Sequence, residues 1–158
     1  MKIVIGSDKS GYSLKEAIKV FLAENKIAFE DLGTTDLNEV HPFFKVAEEI
    51  APKIQDKEYE LAILVCGTGA GMSIVANKFK GVYAVACESV YTAKMARAVN
   101  GAQILCMGGW IVAPEMGVQM AKAFIETARF QDLEDWRAAW LTNADNKIKQ
   151  LEDIIYEK

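Results

Sequence analysis

Apolar and polar positions come in blocks along this chain. Short, continuous apolar runs are each followed by a small or polar turn, then by a stretch whose apolar residues fall three and four apart. Lys2–Gly6 reads as a buried first strand, and Leu14, Ile18, Phe21 and Leu22 set a helix over about Ser10–Asn25. Ile27–Leu32 is a weaker strand, closed by the turn Gly33-Thr34-Thr35-Asp36. Pro42 opens a helix to about Lys53, with Phe43, Val46, Ala47 and Ile50 on one face. Leu61–Val65 is apolar throughout, as strands covered on both faces are. A helix over about Gly71–Phe79, a strand at Ala84–Cys87, a helix at Val90–Val99, a strand at Gln103–Met107 and a helix at Pro114–Arg129 complete the series.

Strands alternating with helices predict an α/β fold: a three-layer, Rossmann-like sandwich around a five-stranded parallel sheet, with ligands at the carboxyl ends of the strands. Residues 1–130 form this domain. Residues 131–158 are charged and helical, with Trp136, Trp140, Ile148, Leu151 and Ile155 as an apolar stripe and no strand after them. This C-terminal amphipathic helix is expected to pack on a second subunit, with the tryptophan pair serving packing rather than ligand binding.

With 158 residues, half of them hydrophobic and a quarter charged, the composition is that of an ordinary globular domain. A net charge of −4 and a pI near 5.1 speak against nucleic acid as the main partner. No run of about 18 apolar residues is present to span a membrane, and Ser7, Asp8 and Lys9 interrupt the first apolar run too early for an export signal. The cysteines, Cys66, Cys87 and Cys106, are odd in number and widely spaced, with no Cys-x-x-Cys pair. They read as reduced thiols in a cytoplasmic protein rather than as disulfides or metal ligands.

Candidate chemistry concentrates in Cys66-Gly67-Thr68-Gly69-Ala70-Gly71, which runs from a buried strand into a helix. Its glycines allow a tight turn with uncovered N–H groups, a setting for negative charge at a helix start. Thr68 adds a hydroxyl, and Cys66 stands where those donors favour a thiolate. The spacing fits neither the dinucleotide fingerprint nor the P-loop, and by itself it equally describes a tight turn with an inert buried cysteine.

Four segments, in order, resemble one family. The stretch Cys66-Gly-Thr-Gly-Ala-Gly-Met-Ser-Ile-Val-Ala-Asn-Lys78 is similar to the signature of the ribose-5-phosphate isomerase B and galactose-6-phosphate isomerase family. Gly6-Ser-Asp8-Lys-Ser-Gly11-Tyr-Ser-Leu-Lys15 resembles its first loop, Asp31-Leu-Gly33-Thr34 its second, and Tyr91-Thr-Ala93 with Arg97 and Asn100 its fourth helix. The resemblance implies an aldose–ketose isomerisation with no metal, nucleotide or other cofactor. Cys66 would be the base that moves a proton between C1 and C2, with the Gly67, Gly69, Ala70 and Gly71 loop and Thr68 holding the enediolate oxygens. Asp8 and Asn100 would bind substrate. The family's sites lie between subunits, which implies a homodimer or homotetramer.

Departures from the pattern bear on the substrate. The first-loop histidine is Lys9, the histidine associated with ring opening is Val99, and an arginine of the phosphate grip is Trp110. Of the arginine-rich tail only Arg137 remains, after Glu134 and Asp135. A sugar other than plain ribose 5-phosphate is therefore expected, with Lys9 and Arg137 as a reduced anion site and Trp110 as a flat wall. His41, the one histidine, is expected to take over protonation of a ring oxygen. Two alternatives stand beside the active homo-oligomer: one subunit of a heteromeric isomerase, and a non-catalytic sugar-binding homologue.

Overall fold

The computed structural model describes residues 1–157. Five strands, β1 (Ile3–Ser7), β2 (Phe29–Asp31), β3 (Leu61–Cys66), β4 (Ala84–Ala86) and β5 (Ile104–Gly108), alternate with α1 (Tyr12–Glu24), α2 (Phe43–Gln55), α3 (Ala70–Ala76), α4 (Val90–Ala98) and α5 (Pro114–Glu126). A final helix, α6, runs over Asp135–Tyr156. The strands form one parallel sheet in the order β2-β1-β3-β5-β4, so the predicted sandwich is the observed one.

Both faces of the sheet are covered, and the period of two along each strand sorts the core. Ile3, Ile5, Ile63, Val65, Leu105 and Met107 point to the side covered by α1, α4 and α5. Val4, Ala62, Leu64, Cys66, Ile104 and Cys106 point to the side covered by α2 and α3. Cys66 thus ends β3 on the α2/α3 side, whereas Cys87 and Cys106 are core residues, their thiols pushed up by burial.

Some expectations are corrected in detail. Pro42 caps α2 rather than starting it, and Phe43 at its first turn is more than a third exposed, outside the core face of Val46, Ala47 and Ile50. The helix after the glycine loop has only seven residues, too few for its macrodipole to carry much of an anion site. On α6 only Leu141 is buried, while Trp136 and Trp140 are 65% and 64% exposed, so the pair does not pack on its own domain. That helix is fastened by polar contacts instead. Arg129 meets Asp145 at 2.7 Å, Glu152 accepts from the Gly81 N–H and the Tyr83 hydroxyl, and Tyr156 donates to the Lys78 carbonyl. Among the described residues no helix is long and apolar enough to cross a membrane.

The loop after β2 is organised from inside. Lys15 on α1 has no solvent exposure, and its Nζ donates to Asp31 at 2.6 Å and to the Thr34 carbonyl at 2.5 Å. Burial alone would raise the Asp31 carboxyl, but the Lys15, Lys19 and Gly33 donors hold it below the ordinary range. Removing one partner of such a pair strands the other. Lys15→Met is expected to lower the unfolding free energy by about 3 kcal/mol, read as a drop in urea midpoint at unchanged m. Asp31, depressed in the folded state, stabilises the fold above about pH 4 and loses that contribution on acidification below it. Asp31→Asn should flatten this acid limb of stability.

Candidate functional site

The sheet order reverses between β1 and β3, because the chain leaves β1 for β2 on one side and leaves β3 for the edge strand β4 on the other, then returns to β5 between them. Such a switch point leaves a crevice at the carboxyl ends of the two central strands. Ser7 pairs with Val65, and the next residue, Asp8, donates its N–H to the Val65 carbonyl at 3.2 Å. Asp8 and Cys66 therefore emerge side by side.

Cys66 is 4% exposed, and the Gly69 N–H donates to its Sγ at 3.2 Å. That bond requires the loop to double back within three residues, and Gly69 does so with φ +78°, a left-handed conformation costly for a residue with a Cβ. A Cβ there would also lie 2.9 Å from the Met107 backbone. Thr68 and Ala70 face solvent beside Gly67 and Gly71, and the N–H groups that open α3 have no acceptor within the helix.

The turn after β5 lies flat on this loop. Gly109 donates to the Cys66 carbonyl at 2.7 Å and Trp110 to the Gly67 carbonyl at 3.1 Å. The Trp110 ring, 74% exposed, covers Gly67 so closely that a Cβ on that glycine would meet three ring carbons within 2.9 Å. At the other end of the loop the Phe43 ring sits against Gly71 in the same way. Together with Asp8 and Ser10 these groups line a pocket of about 280 Å³ around Cys66. Phe43 and Ser10 were not singled out from the sequence. The doubled Phe43-Phe44 just after Pro42 was the available signal.

The other expected site residues divide into two groups. Lys9 and His41 line a second pocket of about 280 Å³ that shares Asp8 and Phe43 with the first. The His41 N–H is held by Thr34 Oγ1 at 2.9 Å, which links this pocket to the buried Lys15. Burial raises the Asp8 carboxyl above its ordinary range, against the pull of the Gly11 and Ser10 N–H groups. Asn100 and Arg137, by contrast, are not brought to Cys66 within the chain. Asn100 follows the end of α4, where the chain returns to the amino edge of the sheet, and lines a cavity with Arg129 and Asp145. Arg137 lines an apolar groove with Val99, Trp136, Trp140 and Leu141. Among the described residues no three His, Cys, Asp or Glu side chains gather as a metal site.

Residues 3–139 match the family described as Ribose/Galactose Isomerase. The chain is 51% identical over 158 residues to 4-deoxy-4-sulfo-D-erythrose isomerase of Clostridium sp. strain MSTE9, covering 100% of this chain and 99% of that one. It is 38% identical over 128 residues to D-erythrulose-4-phosphate isomerase 2 of Mycolicibacterium smegmatis, covering 80% of this chain and 82% of the relative. Among solved structures, ribose-5-phosphate isomerase B of Clostridium thermocellum superposes with a TM-score of 0.85 at 32% identity, covering 98% and 99% of the two chains.

The glycine contacts separate two kinds of substitution. Gly67→Ala presses first on the exposed Trp110 ring, which can swing away. Its unfolding temperature should stay near the parent value while the fluorescence of Trp110 changes, Trp110→Phe serving as the reference. Gly69→Ala meets backbone on both counts and should lose about 2 kcal/mol or more, measured by denaturant unfolding.

Proposed function

The chain belongs to the ribose/galactose isomerase family and is a sugar isomerase; we propose that its substrate is a four-carbon aldose with a sulfonate on the terminal carbon, converted to the 2-ketose. The observation that carries this reading is Cys66, its sulfur held by the Gly69 N–H in a pocket whose walls are aromatic rather than cationic. The full-length similarity to a sulfoerythrose isomerase supports it.

The charge of the site favours a sulfonate over a phosphate. A phosphate monoester carries about −1.5 to −2 charge near neutral pH and calls for bidentate arginine donors. A sulfonate has the same tetrahedral oxygens with a single charge. Where the family's phosphate arginine is expected, this chain presents the Trp110 ring, and the cation nearest the Cys66 pocket is Lys9 in the adjoining one. A four-carbon chain laid from Cys66 past Asp8 puts its anionic end beside Lys9 and His41. We accordingly assign His41 to that end of the substrate.

The Cys66 thiolate removes the proton from C2 of the aldehyde, and the electron pair moves to give a cis-enediolate with its charge on O1. The loop N–H groups between Gly67 and Gly71 and the Thr68 hydroxyl hold that oxygen, donors fixed before charge develops. The O2 proton passes to O1, the proton on sulfur is delivered to C1, and the 2-ketose results with the thiolate regenerated. Asp8 accepts a hydrogen bond from the C3 hydroxyl. No step uses a cofactor.

A second copy of the chain completes the site. Asn100 and Arg137 open away from Cys66 in their own subunit, and the groove that holds Arg137 continues into the exposed stripe of α6. A homodimer that buries this stripe brings both residues over a neighbouring pocket, in the cytoplasm where the three thiols stay reduced. The heteromeric and non-catalytic alternatives make a different prediction, since neither turns over sugar as a single purified chain.

The test is proton exchange in D2O, followed by NMR, with the purified chain and 4-deoxy-4-sulfo-D-erythrose. Deuterium should enter C1 or C2, and Cys66→Ala should abolish it. A wild-type chain that exchanges nothing alone overturns the reading. Lys9→Ala should raise KM about tenfold, equivalent to about 1.4 kcal/mol, with kcat little changed, because it touches only the anionic end.

A further inference from the structure

Sugars that form rings present an isomerase with an extra task. Opening a cyclic hemiacetal requires a proton delivered to the ring oxygen while another leaves the anomeric hydroxyl, which calls for an acid and a base together. Around Cys66 the titratable groups are two, Cys66 itself and Asp8. The sulfur is engaged by the Gly69 N–H and faces the carbon proton, leaving a single carboxylate whose Oδ1 already accepts the Gly11 N–H at 3.0 Å. The one histidine stands with Lys9 in the adjoining pocket, its backbone tied to Thr34 and its ring assigned above to the anionic group of the substrate rather than to a ring oxygen.

On the surface proposed to close over this pocket from a second copy, the carboxylates beside Arg137 and Asn100 are already engaged: Glu134 pairs with Arg137 at 3.5 Å and Asp145 with Arg129 at 2.7 Å. Val99 is half-buried among Trp136, Trp140 and Leu141. Asn100 brings an amide. The Trp110 and Phe43 rings at the two ends of the glycine loop leave a slot suited to an extended chain lying along the N–H groups.

We infer that the site has no device for opening a sugar ring and acts only on open-chain aldehydes, so its substrates are aldoses with no free hydroxyl on C4 or C5. This rests on the isomerase reading above and extends it. The four-carbon sulfonate has sulfur at C4 and no hydroxyl from which a five-membered ring can close, so the missing acid costs it nothing. Specificity against ring-forming sugars then follows from what the pocket lacks. A ring-forming aldose is used only through its free aldehyde fraction, and its apparent kcat/KM falls by that fraction.

Three substrates separate the possibilities: 4-deoxy-4-sulfo-D-erythrose, ribose 5-phosphate, and 4-deoxyribose 5-phosphate, which has the pentose length but cannot close a ring. Initial rates are measured at rising enzyme concentration, and the uncatalysed ring opening of ribose 5-phosphate is measured by carbonyl trapping. The sulfonate and the 4-deoxy pentose should be turned over in proportion to enzyme. Ribose 5-phosphate, after consumption of its free aldehyde, should never exceed its uncatalysed opening rate. A ribose 5-phosphate rate that climbs past that ceiling overturns the inference. So does failure of the 4-deoxy pentose alongside success of the sulfonate, since length or the phosphate charge rather than the ring would then be the barrier. Failure of the four-carbon sulfonate itself overturns the substrate reading and the inference together.

Discussion

Parallel pairing between β1 and β3 is the constraint from which the site follows. Their register places Ser7 against Val65, so Asp8, the first residue past β1, and Cys66, the last of β3, stand at the same height. Because the chain winds away from this pair in opposite directions, no crossover helix covers the gap between their carboxyl ends. The carboxylate and the sulfur owe their proximity to the sheet rather than to any direct contact between them. The loops then supply detail: the Gly69 N–H aims the sulfur, and the turn at Gly109 and Trp110 clamps the loop from β5. A rigid scaffold with function on its loops is the economical arrangement, since the loops can change while the register stays.

That division explains how this chain keeps the family's fold and glycine loop while altering the charge around them. The loop is fixed by backbone geometry: a positive φ at Gly69 and close approaches at Gly67 and Gly71 that a side chain would block. On the proposed reading the anion-binding positions are side chains at the rim, free to vary with the substrate. An indole at position 110 then sets an apolar plane where a guanidinium would offer a bidentate donor, and a monoanion is left with Lys9 and an Arg137 proposed to come from a second copy.

The sheet and its helices were legible in the sequence because continuous apolar runs and 3.6-residue spacing are strong local signals. Every predicted element is present, with ends displaced by a few residues. The Cys66 loop was legible too, since three glycines in five positions constrain the backbone whatever surrounds them. Phe43 was misread because its spacing matches the core stripe of α2, and only the tertiary fold shows it standing over Gly71. Lys15 could be listed from the sequence only as part of a motif. Its burial against Asp31 and Thr34 depends on the distance between α1 and the loop after β2, which no local pattern encodes. Asn100 and Arg137 were expected at a site lying between subunits, and the winding of the chain puts them on other surfaces than the Cys66 pocket, a placement no local pattern encodes.

That separation and the exposed stripe of α6 are two aspects of one problem. A helix of 22 residues that buries only Leu141 gains little from packing, and its fastenings are mostly half-exposed ion pairs and single hydrogen bonds, each contributing on the order of 1 kcal/mol or less. Ile148, Leu151, Ile154 and Ile155 meanwhile remain about half exposed, an apolar stripe that packing within the chain leaves uncovered. On the proposed dimer the same contact that covers this surface carries the Val99 and Arg137 groove over a neighbouring Cys66. Stability of the tail and completeness of the site then become one equilibrium, and a subunit that dissociates loses its counter-charge and its covered helix together.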